Sequence, residues 1–299
     1  MLKINQIKCK IGHNESELLQ ALAKKLRISI NDIVSYEIIR RSVDARHKPD
    51  LYFMYTLYVT LKNEKHILQR FKNSADVSKE ERKSFSYQVT GNIPLKQPVI
   101  IGAGPAGLYC ALELAKHGFK PLVLERGKDV DSRLKDVENF WKTGKLLPNS
   151  NVQFGEGGAG TFSDGKLTTR VKDLRIHKVL DEFVKMGAKE EIKYVSNPHI
   201  GTDCLRTIVK NIRNEIIRLG GEIHFDTQLL EMEYTNNKIT KIITNKGSID
   251  TNDVILAIGH SARNTYELLH EKGLNMKSKP FAVGLRIVHN QEDINKCLY

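Results

Sequence analysis

The amino-acid sequence predicts an α/β protein: a Rossmann-like dinucleotide-binding domain with a β-meander, preceded by a small α+β domain. Three observations predict it. Residues 98–127, PVIIGAGPAGLYCALELAKHGFKPLVLERG, compress a strand, a glycine turn, a helix and a second strand into one unit. Residues 228–250 read as three short strands, with turns at Asn236-Asn237 and Asn245-Lys246-Gly247. Residues before about 90 follow the order β-α-β-β-α-β, that of a ferredoxin-like sandwich.

In the first stretch, Val99, Ile100 and Ile101 form a short apolar run suited to a buried parallel strand. Gly102, Gly104 and Gly107 then give G-x-G-x-x-G. Gly102 allows a tight turn, Gly104 lets a pyrophosphate approach a helix N-terminus, and Gly107 lets helix and sheet pack closely. The next strand delivers Glu125, placed to accept hydrogen bonds from ribose hydroxyls and to repel a 2′-phosphate. This stretch alone leaves FAD and NAD both open.

Residues 128–147 read as a charged helix with Phe140 and Trp141 as its packing points. Residues 151–170 follow, NVQFGEGGAGTFSDGKLTTR, with Gly155, Gly157, Gly158, Gly160 and Gly165 close together. Such density costs chain entropy and marks backbone that passes close to something, either a ligand or a mobile surface loop. Helices are expected over 174–186 and 204–219, and strands over 222–225, 228–234, 238–244 and 248–250. Residues 254–259, VILAIG, read as a buried parallel strand ending at Gly259 near the nucleotide, with Ser261 capping the helix that follows.

The N-terminal domain covers 1–90, with strands at 4–9, 37–43, 51–61 and 84–89 and helices at 16–26 and 65–72. Its cluster of Arg40, Arg41, Asp44, Arg46 and His47 reads as a solvated hairpin tip, or as a contact to an anion or to the neighbouring domain. Residues 91–97 form a linker, 98–278 the nucleotide domain, and 279–299 the start of a substrate domain, with a strand over 281–288. Lys and Arg outnumber Asp and Glu by 47 to 35, but the lysines are scattered, so a nucleic-acid partner is not expected. No apolar run suits a membrane span or a signal peptide. Four cysteines far apart, Cys9, Cys110, Cys204 and Cys297, encode no redox pair or metal site and fit the cytoplasm.

The combination resembles the glutathione-reductase-like FAD/NAD(P)-binding superfamily. More narrowly, EGGAGTFSDGKL at 156–167 together with AIGHSAR at 257–263 is similar to a bacterial family of uncharacterised FAD-dependent dehydrogenases. The resemblance implies FAD as cofactor, with NAD(P)H a candidate electron donor. It places Gly102, Gly104 and Gly107 at the pyrophosphate, Glu125 on the adenosine ribose and Arg126 beside the adenine. It sets Gly157, Gly158 and Gly160 along the flavin or diphosphate, with Ala257 and Gly259 closing the site. Such flavoproteins carry a late Gly-Asp motif on the ribityl chain, and none follows Gly259 here. The expectation is therefore the N-terminal portion of a larger enzyme.

The function expected is an FAD-dependent oxidoreductase acting on a small-molecule substrate. The alternatives are an NAD-binding enzyme or redox-responsive regulator, and a non-catalytic RNA-binding protein. His260 and His199 are the titratable candidates for catalysis, each with a structural hydrogen bond as the competing role.

Overall fold

The structure is a computed structural model. It describes residues 1–47, 49–81, 85–89, 94–162, 165–169, 171–280, 283–285 and 287–298.

The N-terminal unit is built from β1 (Leu2–Lys10), α1 (Glu15–Leu26), β2 (Ile33–His47), β3 (Asp50–Leu61), α2 (Glu64–Arg70) and β4 (Val77–Lys79). Helix α1 starts where the sequence supplies a capping box: the Asn14 side chain accepts from the Glu17 N–H, and Glu17 accepts from the Asn14 N–H. Leu18, Leu22 and Leu26 face the sheet and pack on Leu2, Ile4, Leu57 and Val59. The strands pair antiparallel in the order β2-β3-β1-β4.

The fourth strand corrects the sequence reading. It forms at Val77–Lys79, and residues 85–89 have no regular structure. Ser84 and 91–93 of the linker lie outside the described residues. Phe85 and Tyr87 meet edge to face at 4.9 Å, and Tyr87 contacts the His117 ring and the Lys178 ammonium. The aromatic residues that suggested a strand are used against helices of the next unit.

That unit holds β5 (Val99–Ile101), α3 (Pro105–Lys116), β6 (Leu122–Leu124), α4 (Val130–Thr143), α5 (Arg175–Lys185), α6 (Thr202–Arg218) and β7 (Glu222–His224). The meander β8 (Leu229–Thr235), β9 (Lys238–Thr244) and β10 (Gly247–Asp250) leads to β11 (Val254–Leu256), α7 (Arg263–Glu271) and α8 (Gln291–Leu298). Strands β11-β5-β6-β7 form a parallel sheet in that order.

Alternation along β5 and β6 feeds two cores, because successive side chains leave opposite faces. Ile100 and Val123 meet Leu108, Ala111 and Leu112 of α3 and Ile208, Ile212 and Ile216 of α6. Val99, Ile101, Leu122 and Leu124 meet Leu229, Met232 and Ile242 of the meander and Leu269 of α7. The sheet therefore lies between a helical layer and the meander.

Two further expectations change. Strand β11 stops at Leu256 and sits at the sheet edge, where Val254 and Ile255 are half-buried and Leu256 is 38% exposed. Trp141 is 63% exposed, and α4 packs through Val130, Arg133 and Val137 instead. In the expected strand at 281–288, residues 283–285, 287 and 288 form no strand, and the other three lie outside the described residues.

The Arg cluster of the N-terminal unit divides. Arg46 pairs with Asp44 on the hairpin. Arg41 instead joins the two units: its N–H donates to the Tyr194 carbonyl at 2.7 Å, its carbonyl accepts from the Ser196 N–H, and its guanidinium pairs with Glu191 at 2.8 Å.

Leu112 is fully buried between the sheet and α6, so Leu112→Ala leaves a cavity in the larger core. The expected loss is about 2–5 kcal/mol of stability, read from urea unfolding. A loss below about 1 kcal/mol would contradict this packing.

Candidate functional site

A cavity of about 310 Å³ opens at the carboxyl ends of β5, β6 and β11. Chain direction diverges there: β5 passes through α3 to β6 on one side, while β11 joins on the other. Ligands of open α/β sheets bind at such switch points. The rim adds Gln153, Phe154, Gly155 and Gly158 from the second glycine-rich loop, 227–229 before and at the start of β8, and Thr265 and Tyr266 of α7.

The glycines divide by what surrounds them. Gly102 has φ +104°, and a Cβ there would lie 2.6 Å from the Ala257 oxygen. A Cβ on Gly107 would lie 1.8 Å from the Gly102 oxygen. Both are required by the protein's own close packing. Gly104 differs: it caps α3 with an ordinary φ of −72°, lines the cavity, and has nothing within 4 Å of a built Cβ. Its missing side chain keeps open the space before the helix N-terminus, where free N–H groups and the dipole favour an anion.

Glu125 is 5% exposed and lines the cavity. One carboxylate oxygen accepts from the Ala103 N–H and the other from the Gly127 N–H, both at 2.8 Å. The acid is thus fixed by the turn it serves, and each oxygen keeps a further lone pair. Arg126 stacks over Phe154 at 4.5 Å and donates to Asn149 and Asn264, bridging the rim. Burial pulls its guanidinium below the ordinary arginine value, against the opposing charge of Glu125.

The second glycine-rich loop is only partly what the sequence suggested. Gly158 (φ +67°) borders the cavity, and a Cβ built on it would lie 3.0 Å from Pro105 Cδ. Gly157 is turned away: its N–H donates to the Ala103 carbonyl at 2.8 Å, and a Cβ would strike Thr161 and Val209. Gly155 borders the cavity, but a Cβ on it would strike Arg133. Gly160 lies outside the cavity lining. Much of this glycine density answers to neighbouring protein.

Ala257 and Gly259 line the cavity, as does His260, which is exposed. His199 is elsewhere, bridged to Lys166 and exposed. Ser261 does not cap α7, whose N-cap is Ala262; its hydroxyl donates to Gln153 across the rim at 3.1 Å.

Two buried charges escaped the sequence reading. Arg133 is fully buried and donates to the backbone carbonyls of Asn151, Val152, Gly155 and Glu156, with its guanidinium 4.7 Å from the Phe162 ring. Burial lowers its pKa to about 10, opposed by the charges of Glu125 and Glu156. Glu156 is also fully buried, accepting from the Val130 N–H at 2.7 Å and from Arg213 at 2.8 Å through one oxygen. The signal was available for Arg133. It stands at i, i+3 and i+7 spacing with Val130 and Val137, on the apolar stripe of a charged helix.

Among the described residues no three His, Cys, Asp or Glu gather as metal ligands, and no helix is long and apolar enough to cross a membrane.

Comparison with known proteins gives two family matches. Residues 1–60 match a domain of unknown function, DUF8436, and residues 99–152 match the pyridine nucleotide-disulphide oxidoreductase family. An uncharacterized protein of Clostridium beijerinckii is 48% identical over 295 residues, 98% of this chain and 55% of that protein. The chain thus spans about half the length of that relative. L-proline dehydrogenase from P. horikoshii is 17% identical with a TM-score of 0.41, covering 62% of this chain and 58% of that one. Glycine oxidase from Bacillus cereus is 18% identical with a TM-score of 0.33, covering 59% and 58%.

Replacing Arg133 with Met keeps the stem but strips the donors from four carbonyls in a buried loop. Arg133→Met is expected to lower stability by about 3–5 kcal/mol in chemical denaturation. Retention of wild-type stability would show that the loop does not depend on the guanidinium.

Proposed function

We propose that this chain is an FAD-dependent oxidoreductase, or the N-terminal part of one, acting on a small-molecule substrate with a nicotinamide as electron donor. The observation that carries the reading is Gly104, a helix-capping glycine whose absent side chain leaves open the cavity beside Glu125. The residues present fit an adenosine diphosphate group. The Gly102–Gly107 turn and the start of α3 offer backbone N–H groups to the diphosphate, and Gly158 borders it. Glu125 offers its remaining lone pairs to the ribose hydroxyls. Arg126, stacked on Phe154, flanks the adenine, while Ala257 and Gly259 close the β11 side. Gly157 and Gly160 support the loop and make no ligand contact in this reading.

The cavity is at the small end of the range of about 300–1,000 Å³ typical of ligand pockets. That size agrees with a site for one end of an extended dinucleotide. Flavin, when bound, supplies the hydride and electron transfer. The chain's own part is to hold the dinucleotide, to keep a 2′-phosphate away through Glu125, and to present His260 at the rim. The N-terminal unit, in this proposal, is a ferredoxin-like sandwich, a reading its strand order supports.

A second reading, an enzyme that binds NADH without flavin, is favoured by the pyridine-nucleotide family match and uses the same turn and acid. Titration of the protein with FAD, followed by flavin fluorescence, and with NADH in parallel separates the two. The expected result is FAD binding that Gly104→Val abolishes, with thermal unfolding little changed because the new side chain enters open space. NADH binding without FAD would replace the first reading with the second. Loss of neither ligand in Gly104→Val would remove the cavity from both.

A further inference from the structure

The tip at the C-terminal end of α4 has no core to serve. Residues 141–149, WKTGKLLPN, are all exposed, and Trp141, Leu146 and Leu147 show 63%, 58% and 41% of their surface. Single exposed apolar residues are ordinary, but three large ones on one tip mark a surface that meets something. The tip is not loose chain. Gly144 ends α4 in the left-handed conformation, with its N–H on the Phe140 carbonyl at 2.8 Å. The Thr143 hydroxyl donates to the Asn139 carbonyl and accepts from the Lys145 N–H. On the far side, the buried Asn151 amide donates to the Leu147 carbonyl at 2.7 Å and to the Pro148 carbonyl. Both ends of the tip are hydrogen-bonded, and its apolar side chains are held out in water.

Its charge is one-sided. From Asn139 to Asn149 the sequence holds no Asp or Glu, and Lys142 and Lys145 are the charges it does hold. Among the described residues neither lysine pairs with a carboxylate, not even Lys142 with Glu138 one turn before it, whereas Lys128, Lys178 and Lys185 are all paired. Interfaces between proteins are depleted of lysine. Tryptophan among lysines and leucines instead suits the boundary of a lipid bilayer. There the indole sits at headgroup level, leucines enter the acyl region and lysines reach anionic phosphates. The excess of 47 basic over 35 acidic side chains adds long-range attraction to such a surface.

We propose that the 141–148 tip docks this protein on an anionic phospholipid bilayer, peripherally and without a spanning segment. Trp141, Leu146 and Leu147 enter the interface, and Lys142 and Lys145 bind the phosphate headgroups. Asn149, the next residue, accepts from Arg126 at the rim of the dinucleotide cavity, so the docked face adjoins that rim. The proposal holds whichever dinucleotide the cavity takes.

Trp141 is the single tryptophan of the sequence, so intrinsic fluorescence reads the tip directly. Vesicles of phosphatidylcholine mixed with phosphatidylglycerol are titrated into the protein, with phosphatidylcholine alone as the comparison. The expected result is emission moved to shorter wavelength and flotation with the anionic vesicles, both weakened by salt. Bromine on the acyl chains is expected to quench Trp141, which attraction to headgroups alone does not do. Lys142→Gln combined with Lys145→Gln is expected to weaken partitioning by roughly thirtyfold. Leu146→Ser combined with Leu147→Ser is expected to weaken it by about tenfold. Thermal unfolding of both double variants is expected to match the wild type, because the altered side chains are exposed. Absence of an emission shift and of flotation with anionic vesicles overturns the proposal. Equal binding by the wild type and both double variants also overturns it, since the contact then lies elsewhere on the basic surface. Emission already at short wavelength without lipid overturns it too: protein then covers the tip, a second copy if the effect depends on concentration.

Discussion

The architecture of the site depends on how closely three strand ends approach one another. The oxygens of Gly102 and Ala257 occupy the places where side chains of Gly107 and Gly102 would begin. That contact sets α3 against the end of β5 and brings β11 alongside, and the cavity is the space left over. Glu125 then locks the turn by accepting N–H groups from Ala103 and Gly127. Cavity-facing and protein-facing demands fall on different atoms of the same few residues, which is why the glycines cannot be treated as equivalent.

A second layer of constraint lies behind this turn. The 151–158 loop has little regular structure, so its carbonyls need partners from outside. Arg133 supplies them from one side chain, with five donors in a rigid fork matched to a curved run of backbone. A loop built around a guanidinium trades apolar burial for fixed direction, and this loop supplies one side of the cavity.

How much of this was legible follows from the range of the interactions. The strand, glycine turn, helix and Glu125 lie within one short stretch, so spacing alone revealed them. The meander was equally local, its turns written in Asn236-Asn237 and Gly247. Arg133 and Glu156 were not legible as partners, because the contacts join α4 to a loop some twenty residues away and to Arg213 on another helix. In sequence Arg133 was one charge of a charged helix and Glu156 the first residue of the 156–167 motif. Phe85 and Tyr87 suggested a strand through β propensity, but their aromatic contacts draw them to helices, while the less conspicuous 77–79 takes the sheet position. Trp141 was expected as a packing point of a charged helix, but it is exposed and Val130, Arg133 and Val137 take that place. Propensity describes what a residue can do; its neighbours in space decide which option is used.

The join at Arg41 has a consequence for the order in which the chain acquires its structure. Strand β2 is an edge strand, and at Arg41 its outer hydrogen-bonding groups are satisfied by Tyr194 and Ser196, the latter 155 positions further along. During vectorial synthesis the first sheet can assemble long before those residues leave the ribosome. For that interval β2 presents an open edge, the feature through which strands of different chains find one another. The charged side chains along it, Arg40, Arg41, Asp44 and Arg46, are of the kind that disfavours edge-to-edge pairing, and Val195 is the neighbour that β2 has at Arg41 in the finished fold.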